Sequence, residues 1–87
     1  MNQYEIGMLV RSKSGHDQGN LYVIMDKQAE YLYLVDGKIR TLSNPKKKSK
    51  KHVQRVDRIF ENIVQRKNSS TLIDEDIKRA IKLYELS

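Results

Sequence analysis

The segment Lys13-Ser14-Gly15-His16-Asp17-Gln18-Gly19 is a short polar turn set between two apolar runs. Its two glycines stand four residues apart, and glycine takes positive φ readily and lets the backbone come close to another molecule. Exposed amides, the Lys13 ammonium and a hydroxyl on a rigid hairpin make a seat for phosphate groups. Asp17 has the wrong sign for that task and is expected to fold back on the loop amides as an Asx-type turn. His16 has the chemistry of a base or a metal ligand. The only other histidine is His52, however, and no cysteine or second acid accompanies His16 at ligand spacing. A turn residue that touches a polyanion or caps the loop is the better reading. Nothing in the chain resembles a nucleophile with its base and orienting group, nor the phosphate loop of nucleotide hydrolases. No catalysis, metal or cofactor is expected.

The second chemical feature is a lysine run from Pro45 to Lys51. Between Asp36 and Arg58 lie nine bases and two acids, a net charge of +7, while the other 64 of the 87 residues hold eight bases and nine acids, net −1. All of the excess charge sits in one stretch, and a concentrated basic segment points to a polyanion. By itself such a run is better explained as a solvated loop. Joined to the glycine turn and to Lys38 and Arg40, it reads as an arm that tracks phosphates. Lysine in preference to arginine favours contact with a nucleic-acid backbone over reading of bases. The candidate contact set is Arg11, Lys13, Ser14, Gly15, His16, Gly19, Lys38, Arg40, Lys46, Lys47, Lys48, Lys50, Lys51 and Arg55. Tyr31 and Tyr33 suit stacking on unpaired bases as well as they suit packing, whereas Tyr22 and Gly37 are read as structural.

These residues need a scaffold, and the patterning supplies one. Strands are expected over Gly7–Ser12, Leu21–Met25 and Tyr31–Val35, and a less definite one over His52–Val56. Asp36-Gly37 has the composition of a type I′ hairpin turn, so Lys38 to Leu42 is expected to return as a fourth strand beside the third. Strands two and three are apolar on both faces: Leu21, Val23 and Met25 would face one side and Tyr22 and Ile24 the other. An antiparallel sheet with a wet face alternates instead, so something must cover the second face. The C-terminal third is the candidate. Ile59, Phe60, Ile63 and Val64 recur at helical spacing, with Asp57 as the expected cap. From Asp74 to about Leu86 acids lead, bases follow, and Ile77, Ala80, Ile81 and Tyr84 form an apolar stripe. The expected division is a barrel over residues 1–56, with its basic arm at 45–51, and a helical extension over 57–87 packed on it. At 87 residues this is one small domain, mainly β with C-terminal α, near the size at which a single core is marginal.

The glycine frame resembles the KOW motif, with Gly7, Val10, Gly15 and Gly19 at the framework positions. The stretch from Tyr31 to Leu42, then Asn44-Pro45 and Lys46 to Lys48, and Lys50-Lys51-His52, is similar to the small bacterial KOW-domain proteins. Those in turn are similar to a KOW-bearing large-subunit ribosomal protein of archaea and eukaryotes. The resemblance runs from about Gly7 to His52. It implies a five-stranded SH3-like barrel, and RNA, ribosomal RNA or the ribosome itself as partner. The sequence alone implies only a polyanion. The competing expectation is a protein-interaction KOW module that docks on transcription or translation machinery through an apolar surface. Non-specific DNA binding is disfavoured, since no helix concentrates bases for a major groove. With no cysteine, no apolar run of about 20 residues and no basic-then-apolar leader, a cytoplasmic monomer without a membrane or small-molecule partner is expected.

Overall fold

A computed structural model describes residues 3–87. The strands are β1 (Met8–Ser12), β2 (Leu21–Gln28), β3 (Tyr31–Val35), β4 (Lys46–Ser49) and β5 (Val53–Ile59), with one 3₁₀ turn, Lys50–His52, between the last two. Two helices follow, α1 (Glu61–Asn68) and α2 (Asp74–Leu86). All five strands form one antiparallel sheet in the order β4-β3-β2-β1-β5.

Two-sided apolarity decides the architecture. Tyr22 and Ile24 of β2 join Met8, Val10, Leu32, Leu34 and Val53 in one buried cluster made of strand residues. Both helices lie on the other face, so this cluster is shielded by the curl of its own sheet and by partly buried Tyr4, Ile6 and Ile59. The sheet is therefore bent into a small barrel-like form. The pairing of β2 with β3 shifts between Ile24 and Asp26, and a bulge of this kind sharpens the bend. On the other face Leu9, Leu21, Val23, Met25 and Val35 pack against Phe60, Ile63, Ile77, Ala80 and Ile81. The apolar stripe of α2 needs a partner because a helix of this length is marginal in water. The second face of the sheet provides it.

The fourth strand is not where Asp36-Gly37 suggested. Residues 38–42 form a loop, and the strand beside β3 is the lysine run itself, with Leu34 opposite Lys46 and Tyr31 opposite Ser49. Asp36 Oδ1 accepts from the amides of Lys38 and Arg40, both at 2.9 Å, which folds the segment into a local turn rather than a hairpin. Gly37, at φ +81°, lies against the first turn of α2. A Cβ there would stand 2.5 Å from the Asp74 carbonyl oxygen and 2.8 Å from the Lys78 nitrogen. Asp74 Oδ1 accepts from the Leu42 amide at 2.7 Å, so the loop serves as a dock for α2.

Asp57 does not cap α1. β5 runs on to Ile59, because Ile59 still pairs with Met8, and Asp57 is an exposed strand residue in an ion pair with Arg55. Ile59 packs with the cluster inside the barrel and Phe60 with the helical cluster, so strand alternation carries through to residue 60. The junction between sheet and helices is Phe60, not residue 56. Among the described residues no helix is long and apolar enough to cross a membrane.

If the helical layer holds the sheet, Ile77→Ala, at a fully buried position, should cost about 2–4 kcal/mol. Leu83→Ala, on the exposed side of α2, should stay within about 0.5 kcal/mol of the parent. Urea unfolding followed by far-UV circular dichroism measures both, and equal costs would contradict this packing.

Candidate nucleic-acid interface

Period-two alternation in β4 sorts the lysines. Lys46 and Lys48 lie opposite Leu34 and Leu32, whose side chains fill the barrel, so both lysines turn to its inner side; Lys47 turns outward. At the end of the barrel they meet Asp17, which the hairpin turn between β1 and β2 carries inward. The Asp17 side chain is only 10% exposed. Its Oδ1 accepts from Lys48 Nζ at 2.9 Å and Ser12 Oγ at 3.0 Å. Its Oδ2 accepts from the Tyr22 hydroxyl at 2.9 Å and lies 3.2 Å from Lys46 Nζ. Among the described residues every partner is a side chain, so the expected Asx turn on the loop amides is not how Asp17 is held. A buried carboxylate needs several strong donors, and loop amides at the surface offer fewer than this convergence of strands.

The electrostatics follow from that shell. Burial alone would raise the Asp17 pKa, but the hydrogen bonds from Lys48, Tyr22, Ser12 and Lys46 outweigh it and hold the carboxyl well below the ordinary range. Burial, and then the hydrogen bond to the ionised Asp17, push the Tyr22 hydroxyl up to about 12. Tyr22 is thus the structural residue the sequence suggested. Two ammonium groups face one carboxylate, which leaves one positive charge in excess. Lys48 is nearly enclosed, its side chain 10% exposed, while Lys46 keeps 26%.

This network also corrects the idea of a lysine arm. Residues 46–49 are a paired strand, and Lys46 and Lys48 are committed to the fold. Lys48 Nζ donates to the Ser14 carbonyl at 3.0 Å, and the Lys13 amide donates to the His52 carbonyl at 2.8 Å. The glycine turn, β4 and the 50–52 turn are thereby joined. Around that seam Lys13, His16, Lys47 and Lys51 are exposed and Lys50 is half-buried. Gly15 and Gly19 both take positive φ, at +86° and +92°. Arg11 Nη1 donates to the Gly19 carbonyl at 2.8 Å, which fixes the turn rather than leaving the guanidinium free. Lys47 Nζ lies 4.4 Å from the centroid of the Tyr31 ring, which remains 43% exposed. Half-buried Tyr33 donates to Gln28 Oε1 at 3.1 Å.

The rest of the candidate set is placed elsewhere. Arg55 is paired with Asp57 at 3.0 Å and donates to the Gln3 carbonyl. Lys38 and half-buried Arg40 belong to the loop docked on α2. There Lys38 shares a cleft with Lys78 and Lys82, two residues the sequence reading left out of the site. Their spacing of four on α2 was visible as a basic face, but only the docking of the loop brings Lys38 to it. Among the described residues no three His, Asp or Glu side chains converge as a metal-ligand set. Compared with known proteins, the chain matches no protein-family model and no curated protein.

Asp17→Asn should lower stability near pH 7 by about 3 kcal/mol, because it leaves Lys48 enclosed without its counter-charge. The folded-state pKa of Asp17 lies below its unfolded value, so acid protonates the unfolded chain first. Its contribution is therefore complete above about pH 5 and is lost as the pH falls through about 4 and below. Urea midpoints of parent and variant should converge over that acid range. Parallel pH profiles would show that Asp17 does not carry the coupling.

Proposed function

We propose that this protein is a non-catalytic RNA-binding protein of the cytoplasm that acts as a monomer. Its ligand is structured RNA, held through phosphates, and the KOW resemblance makes ribosomal RNA or the ribosome the partner. The observation that carries the reading is the seam between the glycine turn and β4. Two segments more than thirty residues apart in sequence, which only together read as a phosphate-binding surface, share direct hydrogen bonds from Lys48 to Ser14 and from Lys13 to His52. Their exposed cations are rigidly mounted, which lowers the ordering cost of binding relative to a free arm. Asp17, the one acid in the turn, is enclosed and over-compensated by two ammonium groups, so it does not repel a phosphate at the surface. Tyr31 beside Lys47 adds an exposed ring on which an unpaired base can stack.

A protein-docking module is the competing reading. It is favoured by Leu83 and Leu86 on α2, 60% and 73% exposed, and by Ile39, 81% exposed. The two readings use different residues, which makes them separable.

With about four phosphates neutralised by Lys13, Lys47, Lys50 and Lys51, log affinity for an RNA hairpin should fall against log salt with a slope of about −3 to −3.5. Changing these four lysines to Gln should remove most of that slope and leave the melting temperature nearly unchanged. Lys48→Gln alone should do the reverse, lowering stability more than the slope. An unaltered slope in the fourfold variant, with RNA affinity lost instead on Leu83→Asp/Leu86→Asp, would move the function to the apolar face.

A further inference from the structure

A cleft of about 470 Å³ opens between the β1–β2 turn and α2, lined by Gly19, Asn20, Lys38, Lys78 and Lys82 among others. We propose that it is a phosphate subsite, which carries the basic surface past the glycine turn onto the C-terminal helix. The inference rests on the RNA reading for the source of the phosphate and not for the site itself.

Three lysines reach this cleft from two segments distant in sequence. Lys78 and Lys82 are four residues apart on α2 and so share a face. Lys38 is brought to them by its neighbour Gly37, whose missing Cβ lets the loop lie directly on the Lys78 backbone. The Leu42 amide on Asp74 Oδ1 fastens the loop a second time. Backbone packing thus brings the three residues to one cleft. Like charges placed this way are mildly unfavourable until an anion joins them.

The counter-charge inside the fold does not meet that demand. Among the described residues neither Lys38 nor Lys82 forms an ion pair, and Lys78 has only an exposed contact with Glu75 at 3.9 Å. Two carboxylates, Asp36 and Glu85, also line the cleft. Asp36 has one oxygen committed to the amides of Lys38 and Arg40, and among the described residues Glu85 forms no ion pair with the lysines. Three lysines therefore line the cleft with two acids, and no ion pair among the described residues joins Asp36 or Glu85 to them. Lysine is a compact point charge suited to phosphate. At Gly19 a Cβ would meet nothing within 4 Å, so the approach from the glycine turn is open. The volume exceeds what one phosphate occupies and leaves room for an attached sugar, with Leu21 and Ile81 as its apolar wall.

The test uses the full chain, labelled with ¹⁵N, and a Lys38→Gln/Lys78→Gln/Lys82→Gln variant. Inorganic phosphate titrated into the parent should shift the amides of Gly19, Asn20, Lys38, Lys78 and Lys82 together, and the variant should lose those shifts while its other resonances stay in place. With an RNA hairpin, the same variant should have a salt slope shallower by about 1 than the parent's, the loss of one phosphate contact. Phosphate shifts without a change in RNA slope would keep the subsite and assign it to a free phosphate or nucleotide. Phosphate shifts without any RNA binding would sink the RNA reading and leave the subsite standing. If phosphate moves none of these amides and the RNA slope is unchanged, the proposal is overturned.

Discussion

The structure depends on one buried carboxylate. Asp17, on the turn between β1 and β2, sits where β1, β2 and β4 come together, and each of these strands sends it a donor. Ser12 comes from β1, Tyr22 from β2, and Lys46 and Lys48 from β4. An ionised group of this kind is costly in a low-dielectric end of a barrel unless its oxygens are fully engaged. Here each oxygen has two partners, and among the described residues no buried side-chain polar atom lacks one. The network closes the barrel with polar groups where the apolar cluster ends. It also fixes the glycine turn against the lysine strand, which is the geometry any phosphate ligand would meet.

A chain of 87 residues has little apolar surface to spend, and this one uses both faces of a single sheet. The inner face is buried by curvature and the outer face by the two helices. Neither solution suffices alone: a curled sheet with a bare outer face would expose Leu9, Val23 and Val35, and the helices have no other surface to pack on. Sheet and helices are coupled further through the 36–42 loop, where Gly37 and Leu42 meet the start of α2.

The same packing divides the basic residues by role. Lys46 and Lys48 neutralise Asp17, Arg11 holds Gly19, and Arg55 pairs with Asp57. Of the other basic residues, one group lies at the seam of the turn with β4 and another lines the cleft beside α2. A count of lysines overstates the first group and omits most of the second.

The elements governed by local rules were legible in the order of residues alone. The alternation of Leu21, Val23 and Met25 against Tyr22 and Ile24 already implied two buried faces and a helical cover, because side chains on a strand point to opposite sides without regard to the rest of the fold. The stripe and charge order of Asp74–Leu86 likewise defined α2. Three features arise instead from contacts between distant segments. Asp36-Gly37 has hairpin composition, but its glycine is used for close approach to α2, and composition cannot say which neighbour a glycine serves. The lysine run lacks strand propensity, and it becomes β4 because β3 has an unpaired edge and Asp17 rewards every second lysine. Lys78 and Lys82 join Lys38 only through the docking of a loop some forty residues earlier. In each case the deciding interaction is non-local, so its energy is invisible to any window of the chain that does not contain both partners.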